Sequence, residues 1–470
     1  MSAPLGLREI VKEVLKSKSG LAGLCILLFL TILSLLVPIY FPKGNIVNAW
    51  NDPLHWVKYP RLAAPEWVEI FIGKRLPRTL DIVNSDFKYL SIKMSSGFKY
   101  VRREANFYYD YDDFPSDFII FLNTSYRSSP PYVAVTIIRP DGLKVKLFSG
   151  TLTSSTQALY ISTDKDILSN IADFVTKVTG KPPSALSFIY IFAERESLPN
   201  VKEVKVLKSS YFKPPRPYRI VVKALMYSKK DKLRIEAIIY GKVYGLAGTD
   251  NERRDILLGI LWGTPISLAF GIVGSVVTTV IQAFLGAVSA WYGGKVDEVL
   301  QRATDIMLVI PILPLIILID FVYRLTLWRL LEVLVVFSIL GMVTKITRSM
   351  VLQVKSEQYI EAAISYGASK KRILALYITP RITPYTFANI VLSIPSFVFL
   401  EAALSILGLG DPLLPTLGKL LDNAYEGGAL YHGYWWWVLL PAGVIMLIAI
   451  AFVLMYYPLD KILNPRLRER

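Results

Sequence analysis

The sequence predicts an all-α membrane domain of six transmembrane helices with a mainly β extracytoplasmic domain inserted after the first. Three observations predict it: several long stretches carry no charge, the block 42–245 reads as strands and turns, and basic residues gather in loops on one side. Composition agrees. Apolar residues make up 53% of the 470, only 19% are charged, and mean hydropathy is +0.42, against about 45–50% apolar and about 25% charged in soluble domains. The net charge of +16 does not make this a disordered basic chain, because 12% of the residues are aromatic. Cys25 is the only cysteine, which excludes a disulfide scaffold.

A bilayer core needs about 20 apolar residues per helix. Leu21–Phe41 is the first such stretch. It is too long for a signal-peptide core, and Ile39-Tyr40-Phe41-Pro42 offers no small-residue cleavage site, so it reads as a retained anchor. The insertion follows. Tyr132–Ile138 and Leu143–Phe148 flank Arg139-Pro140-Asp141-Gly142 as a hairpin, and Arg219–Met226 with Leu233–Ile239 reads as a second. Asp164–Thr179 has Ile167, Leu168, Ile171, Phe174 and Val175 at helical spacing. Asn123-Thr124-Ser125 matches the short glycosylation pattern, which also arises often by chance.

Five further spans are expected. Trp262–Tyr292, Ile382–Leu400 and Tyr434–Leu459 are uncharged, while Ile306–Tyr323 and Leu330–Thr344 contain one acid each, Asp320 and Glu332. A buried soluble hairpin is the competing reading of these last two. Orientation follows the basic loops. Arg8, Lys12, Lys16 and Lys18 precede the first span, seven basic residues lie from Lys345 to Arg381, and Lys461, Arg466, Arg468 and Arg470 end the chain. The loop Ser405–Gly433 has only Lys419 against three acids. Both termini are therefore expected in the cytoplasm of a multi-pass plasma-membrane protein. Residues 42–245 lie outside, and 1–41 and 246–470 form the membrane domain.

The Lys345–Arg381 loop carries the most information. Glu361, Ala362 and Ala363 begin a helical pattern that Gly367 breaks. Ser369 then caps a second pattern through Lys370, Lys371 and Arg372 to about Tyr377, where Pro380 is expected to stop it. Two short helices around a glycine could form a docking knob or an ordinary amphipathic surface helix. Spacing alone leaves both open.

Glu-Ala-Ala, three residues, Gly, then Pro thirteen residues on resembles the EAA loop of ABC importer permeases. Four more segments are similar to the dipeptide/oligopeptide branch of that family: Gly248–Asp255, Trp291–Arg302, Glu401–Gly410 and Asn464–Arg468. The set resembles the second permease of such transporters and implies the type I importer fold. Departures are Arg253 in place of a glycine, Tyr377, Thr379 and Arg381 around Pro380, Ile406 for a phenylalanine and Leu417 for a tryptophan. The insertion is far longer than is usual in the family.

The resemblance implies a second permease subunit, two cytoplasmic ATPase subunits that bind the ATP, an extracytoplasmic substrate-binding protein and the lipid bilayer as partners. It implies that Glu361, Ala362, Ala363, Gly367, Lys370, Lys371, Arg372 and Pro380 couple to an ATPase, for import of short peptides or similar solutes. The chain has no GxxxxGK[ST] loop and is expected to hold no cofactor and catalyse no reaction. Asp320 and Glu401 are candidate pathway residues, since intramembrane acids are often functional. Asp320 and Arg324 could equally be an end-of-helix pair, Glu332 follows Arg329 by three residues, and Glu401 could support the outer end of its span. Pro311, Pro314 and Pro395 lie inside spans and can kink them.

An alternative is a membrane-anchored extracellular binding or adhesion protein working through 42–245. An embedded enzyme has little support, with His55 and His432 the only histidines. Residues 42–262 hold 33 basic and 22 acidic side chains, or +11 of the net +16. The high pI is therefore a basic outer domain plus a topology signal, and does not point to nucleic acid.

Overall fold

The computed structural model describes residues 15–40, 46–95, 98–198 and 205–463. Arg8, Lys12, Phe41 and the Asn464–Arg470 ending lie outside the described residues. The chain divides into two compact units, Met1–Asn51 with Ile256–Arg470, and Asp52–Asp255.

Among the described residues, the second unit holds nine strands: β1 Leu80–Ile82, β2 Lys88–Ser95, β3 Phe98–Phe107, β4 Asp117–Ser125, β5 Tyr132–Ile138, β6 Lys144–Thr151, β7 Thr156–Tyr160, β8 Tyr218–Met226 and β9 Lys232–Tyr240. They form a four-stranded sheet, β1-β9-β4-β7, and a five-stranded sheet, β2-β3-β8-β5-β6. Alternation decides which side chains go inward. Phe118, Ile120 and Leu122 of one sheet share a core with Val133, Val135, Ile220 and Val222 of the other, the arrangement of a β-sandwich.

The hairpin expected around Asp141-Gly142 is present: β5 and β6 pair antiparallel, and Gly142 takes φ +85°. The second expected hairpin is not. β8 pairs with β3 and β5, and β9 with β1 and β4. Both strands are strongly apolar, and each is central in its own sheet rather than paired with the other. The chain crosses between sheets at Ser228–Asp231, where the Asp231 carboxylate accepts from Ser228 N at 2.9 Å and Arg127 N at 3.2 Å.

The predicted helix spans Lys165–Thr179, with Asp164 as its cap accepting from Asp166 N and Ile167 N. Ile167, Ile171, Phe174 and Val175 enter the core. Asn123 lies mid-strand in β4, a poor setting for a glycosylation acceptor, which normally sits in a surface loop. Arg139 is fully buried. Its guanidinium donates to Tyr190 O at 2.8 Å, Ala193 O at 2.6 Å and both oxygens of Asp141.

Among the described residues of the membrane unit, three helices are long and apolar enough to cross a bilayer, or up to five if each bent pair counts as one span. The three are Ile256–Tyr292, Lys370–Leu409 and Trp435–Leu459. A further apolar helix, Lys18–Tyr40, packs on the last one, with Gly23 against the backbone of Ala451. The stretch Ile306–Tyr323, expected as one span, is broken. Gly294–Val309 and Ile312–Tyr323 meet at 79°. Pro311 lacks a donor and drives Ile310 to extended backbone at ψ 124°. The expected span Leu330–Thr344 is likewise two helices, Leu327–Ser338 and Met342–Lys355, bent by 43° at an extended Gly341.

Arg139 gives a test of the insertion core. Arg139→Met strands the Tyr190 and Ala193 carbonyls and Asp141. Loss of roughly 3–5 kcal/mol is expected, read as faster amide exchange in β5 and residues 188–193, whereas exchange in Ile256–Tyr292 should not change.

Candidate functional site

The two-helix projection is built from both of its glycine-flanked halves. Gln358–Ser365 ends on a turn in which Tyr366 N donates to Ala362 O at 3.0 Å and Ala368 N to Ala363 O at 3.0 Å. Gly367 sits between them at φ +76°, a conformation that costs an L residue roughly 1–2 kcal/mol. Ser369 then caps Lys370–Ile373, its hydroxyl accepting from Arg372 N at 3.4 Å.

One face of the projection is fixed to the bundle. Ile360, Ala363, Ile373 and Ile378 are buried with Ala287, Ala290, Trp291 and Val351. The adjacent alanines therefore differ: Ala363 is buried and Ala362 exposed. Glu361, Gly367, Lys370, Lys371 and Arg372 are all exposed. Among the described residues, no cation pairs with the Glu361 carboxylate. Tyr366 is 92% exposed at the tip. The motif pattern did not single it out, and its exposure comes from the turn it occupies. Lys370 Nζ lies 5.7 Å from the Tyr292 ring centre. Lys371 borders a cavity of about 560 Å³ lined by Val280, Phe284, Thr379, Thr383 and Phe387.

Pro380 does not stop the second helix, contrary to expectation. The helix runs from Lys370 to Leu409 through a π-turn at Leu374–Ile378. Widening by one residue takes up the donor that proline lacks. Leu374 O accepts from Thr379 N and, at 2.8 Å, from Thr379 Oγ1. Thr379 is one of the departures from the family pattern. Two others pack together: Tyr377 stacks on Tyr359 with centres 6.3 Å apart, and Arg381 lies 5.9 Å from the Tyr359 ring.

Behind the projection, Asp297 accepts from Arg348 Nε and Nη2, both at 2.5 Å, and from Ser289 Oγ. Lys355 Nζ reaches Trp291 O at 3.1 Å. Gly286 lets two helices meet, since a Cβ there would collide with Thr344 O.

The two candidate pathway acids lie elsewhere and are not brought together with the projection. Asp320 caps a helix end, its Oδ1 accepting from Leu325 N at 2.8 Å, and no Asp320–Arg324 ion pair forms among the described residues. Glu332 is exposed. Glu401 is 1% exposed; its carboxylate accepts from Thr416 Oγ1 at 2.6 Å, Ser405 Oγ at 3.1 Å and Ser267 Oγ at 3.4 Å. It ties Ile256–Tyr292 and its own helix to the start of Leu417–Glu426.

Just before Ile256–Tyr292, Gly248–Asp255 forms a compact turn. Asp250 and Arg254 pair at 2.6 Å, both buried, and Thr249 Oγ1 bonds Pro60 O at 2.8 Å. Arg253, at a position that is glycine in the family pattern, has φ +70°. Its guanidinium donates to Tyr59 O and Asp117 Oδ2, each at 3.0 Å, and lies 4.1 Å from the Tyr240 ring.

These features define a multi-pass membrane protein with an exposed two-helix projection. The family described as a binding-protein-dependent transport system inner membrane component matches residues 282–469. The oligopeptide transport system permease protein OppC of Bacillus subtilis (strain 168) is 31% identical over 223 residues, covering 47% of this chain and 72% of that protein. The dipeptide transport system permease protein DppC of Haemophilus influenzae is 31% identical over 225 residues, 48% and 75% of the two chains. The B. subtilis dipeptide permease DppC is 29% identical over 223 residues, 47% and 69%. The chain belongs to this permease family.

The two alanines can be separated by experiment. Ala363→Asp buries a carboxyl at the cost of about 2 kcal/mol or more, and should speed amide exchange across 358–373. Ala362→Asp, on the exposed side, should leave that exchange unchanged.

Proposed function

We propose that the chain is one of two membrane subunits of an ATP-driven importer of short peptides. The proposed topology has six spans: Lys18–Tyr40, the three long helices and the two bent pairs. Both termini are cytoplasmic, and 42–245 forms the outer domain. The partners are a second permease subunit, two ATPase subunits that bind and hydrolyse ATP, and an extracytoplasmic binding protein.

The projection carries the coupling. Its fixed face is anchored on Ile360, Ala363 and Ile373, while Glu361, Tyr366 and the Lys370–Arg372 edge face outward. A partner that grips this edge pulls on a helix continuous with the span as far as Leu409. Closure of the ATPases can thus be passed to the pathway as a rigid-body movement between inward- and outward-facing states, both of which must differ in their contacts with the nucleotide-bound subunits. Asp320 and Glu401 are read as supports of helix ends. The single observation that carries the reading is the Gly367-centred turn holding these groups on a packed base.

The test is substrate-stimulated ATP hydrolysis by the assembled complex. Glu361→Ala and Gly367→Val are each expected to lower the stimulation at least about tenfold, equivalent to about 1.4 kcal/mol of coupling, with membrane insertion intact. Full stimulation in both variants removes the projection from the mechanism.

A further inference from the structure

The insertion domain has a cleft that the permease reading does not use. It lies between strand ends of the two sheets, has a volume of about 330 Å³, and its cations are Lys99, Arg103, Lys232 and Arg234. No carboxylate lines it. Among the described residues, none of the four cations lies within ion-pair distance of an acid.

Arg103 sets the character of the site. It is 4% exposed, and its five donor contacts go to Phe87 O, Asn84 O, Asn84 Oδ1 and Leu233 O. All are neutral acceptors, so the guanidinium is satisfied in hydrogen bonds but not in charge. Burial lowers its pKa from the ordinary arginine value. Lys99 Nζ likewise bonds a carbonyl, Asp231 O, at 3.0 Å. Lys232 and Arg234 are exposed at the mouth and retain free donors for a ligand. A fixed positive charge of low exposure attracts an anion more strongly than the same charge in water.

The walls narrow the choice. Tyr89 lies with its ring centre 4.7 Å from Arg103 Cζ, and Val101 and Met226 add apolar surface. The volume suits a small ligand, near the low end of the ~300–1,000 Å³ range. Tyr89 belongs to β2, the outermost strand of its sheet, and among the described residues no strand pairs with its outer edge, which can take up extended backbone. A concave site beside a strand edge fits a peptide chain better than a planar bilayer.

We propose that this cleft binds a carboxylate carried on a peptide, with Lys232 and Arg234 as its donors, Arg103 as fixed charge and the β2 edge as backbone partner. Two sources can supply the carboxylate, the terminus of a free peptide or acidic side chains on a protein surface. The inference concerns only the insertion and stands independently of the coupling role of residues 361–372.

The test is calorimetric titration of the full chain in phosphatidylcholine nanodiscs with tri-glutamate, tri-glutamate amide, tri-alanine, tri-alanine amide and tri-lysine. Tri-glutamate should bind, and its affinity should fall at least about tenfold in Lys232→Glu/Arg234→Glu and with added salt. Lys144→Glu/Lys146→Glu, on β6 at the opposite edge of the sheet, should leave it unchanged. Lys232→Ala/Arg234→Ala should weaken binding in the same sense, and serves if the reversed pair misfolds. Binding of tri-alanine that amidation abolishes assigns the terminal carboxylate. Binding of both glutamate peptides alone assigns side-chain carboxylates. The proposal is overturned if tri-glutamate binds no better than tri-lysine, or if the β6 variant weakens it as much as the cleft variants.

Discussion

Backbone N–H and C=O groups have no water to turn to in hydrocarbon, and each one left unpaired costs several kcal/mol. The interrupted helices of the membrane unit carry side-chain partners for the backbone groups that their breaks release. At the π-turn before Pro380, Thr379 fills the Leu374 carbonyl. At the start of Leu327–Ser338, Asp411 accepts from Leu327 N at 3.2 Å. At its end, the Ser338 carbonyl accepts from Gln282 Nε2 of a neighbouring helix. Asp320 closes the turn after Ile312–Tyr323. Glu401 performs the largest version of the same task, gathering three hydroxyls at the start of Leu417–Glu426. Several polar side chains of this unit thus serve the places where helices break, and the breaks give an apolar bundle defined joints.

The insertion domain meets the related problem with cations. Arg139 and Arg103 are both buried and both donate to main-chain carbonyls. Arg139 also holds a carboxylate, Asp141, whereas Arg103 does not. The same side chain is a closed structural tie in one place and an uncompensated charge in the other. With no cysteine in the insertion, no disulfide holds its two sheets together, and packing and such ties do that work.

The legible part of the fold was local. Uncharged runs located the long helices, Asp164 and the apolar spacing after it located the helix of the insertion, and the Asp-Gly turn located one hairpin. Pairing between distant strands was not legible: β8 and β9 look like hairpin partners because both are apolar and adjacent, and nothing local says that each is the centre of a different sheet. Proline also misled in one direction. At Pro311 it does break the helix, but at Pro380 a π-turn and a threonine hydroxyl absorb it. The exposed and buried halves of the projection were readable as motif residues, but the opposite settings of Ala362 and Ala363 depend on Trp291 and Val351, which come from other helices.

Arg253 shows how closely the insertion has been joined to the chain that leads into the membrane. A left-handed position usually filled by glycine carries the bulk of an arginine, and the strain is offset by Tyr59, Asp117 and Tyr240, all of them within the inserted unit. Remove residues 42–245 and the arginine keeps its unfavourable backbone while losing the three partners of its side chain that compensate for it. A shortened chain made by excising the insertion therefore needs glycine restored at this position as well. The insertion and its graft point have to be treated as one piece of sequence in engineering.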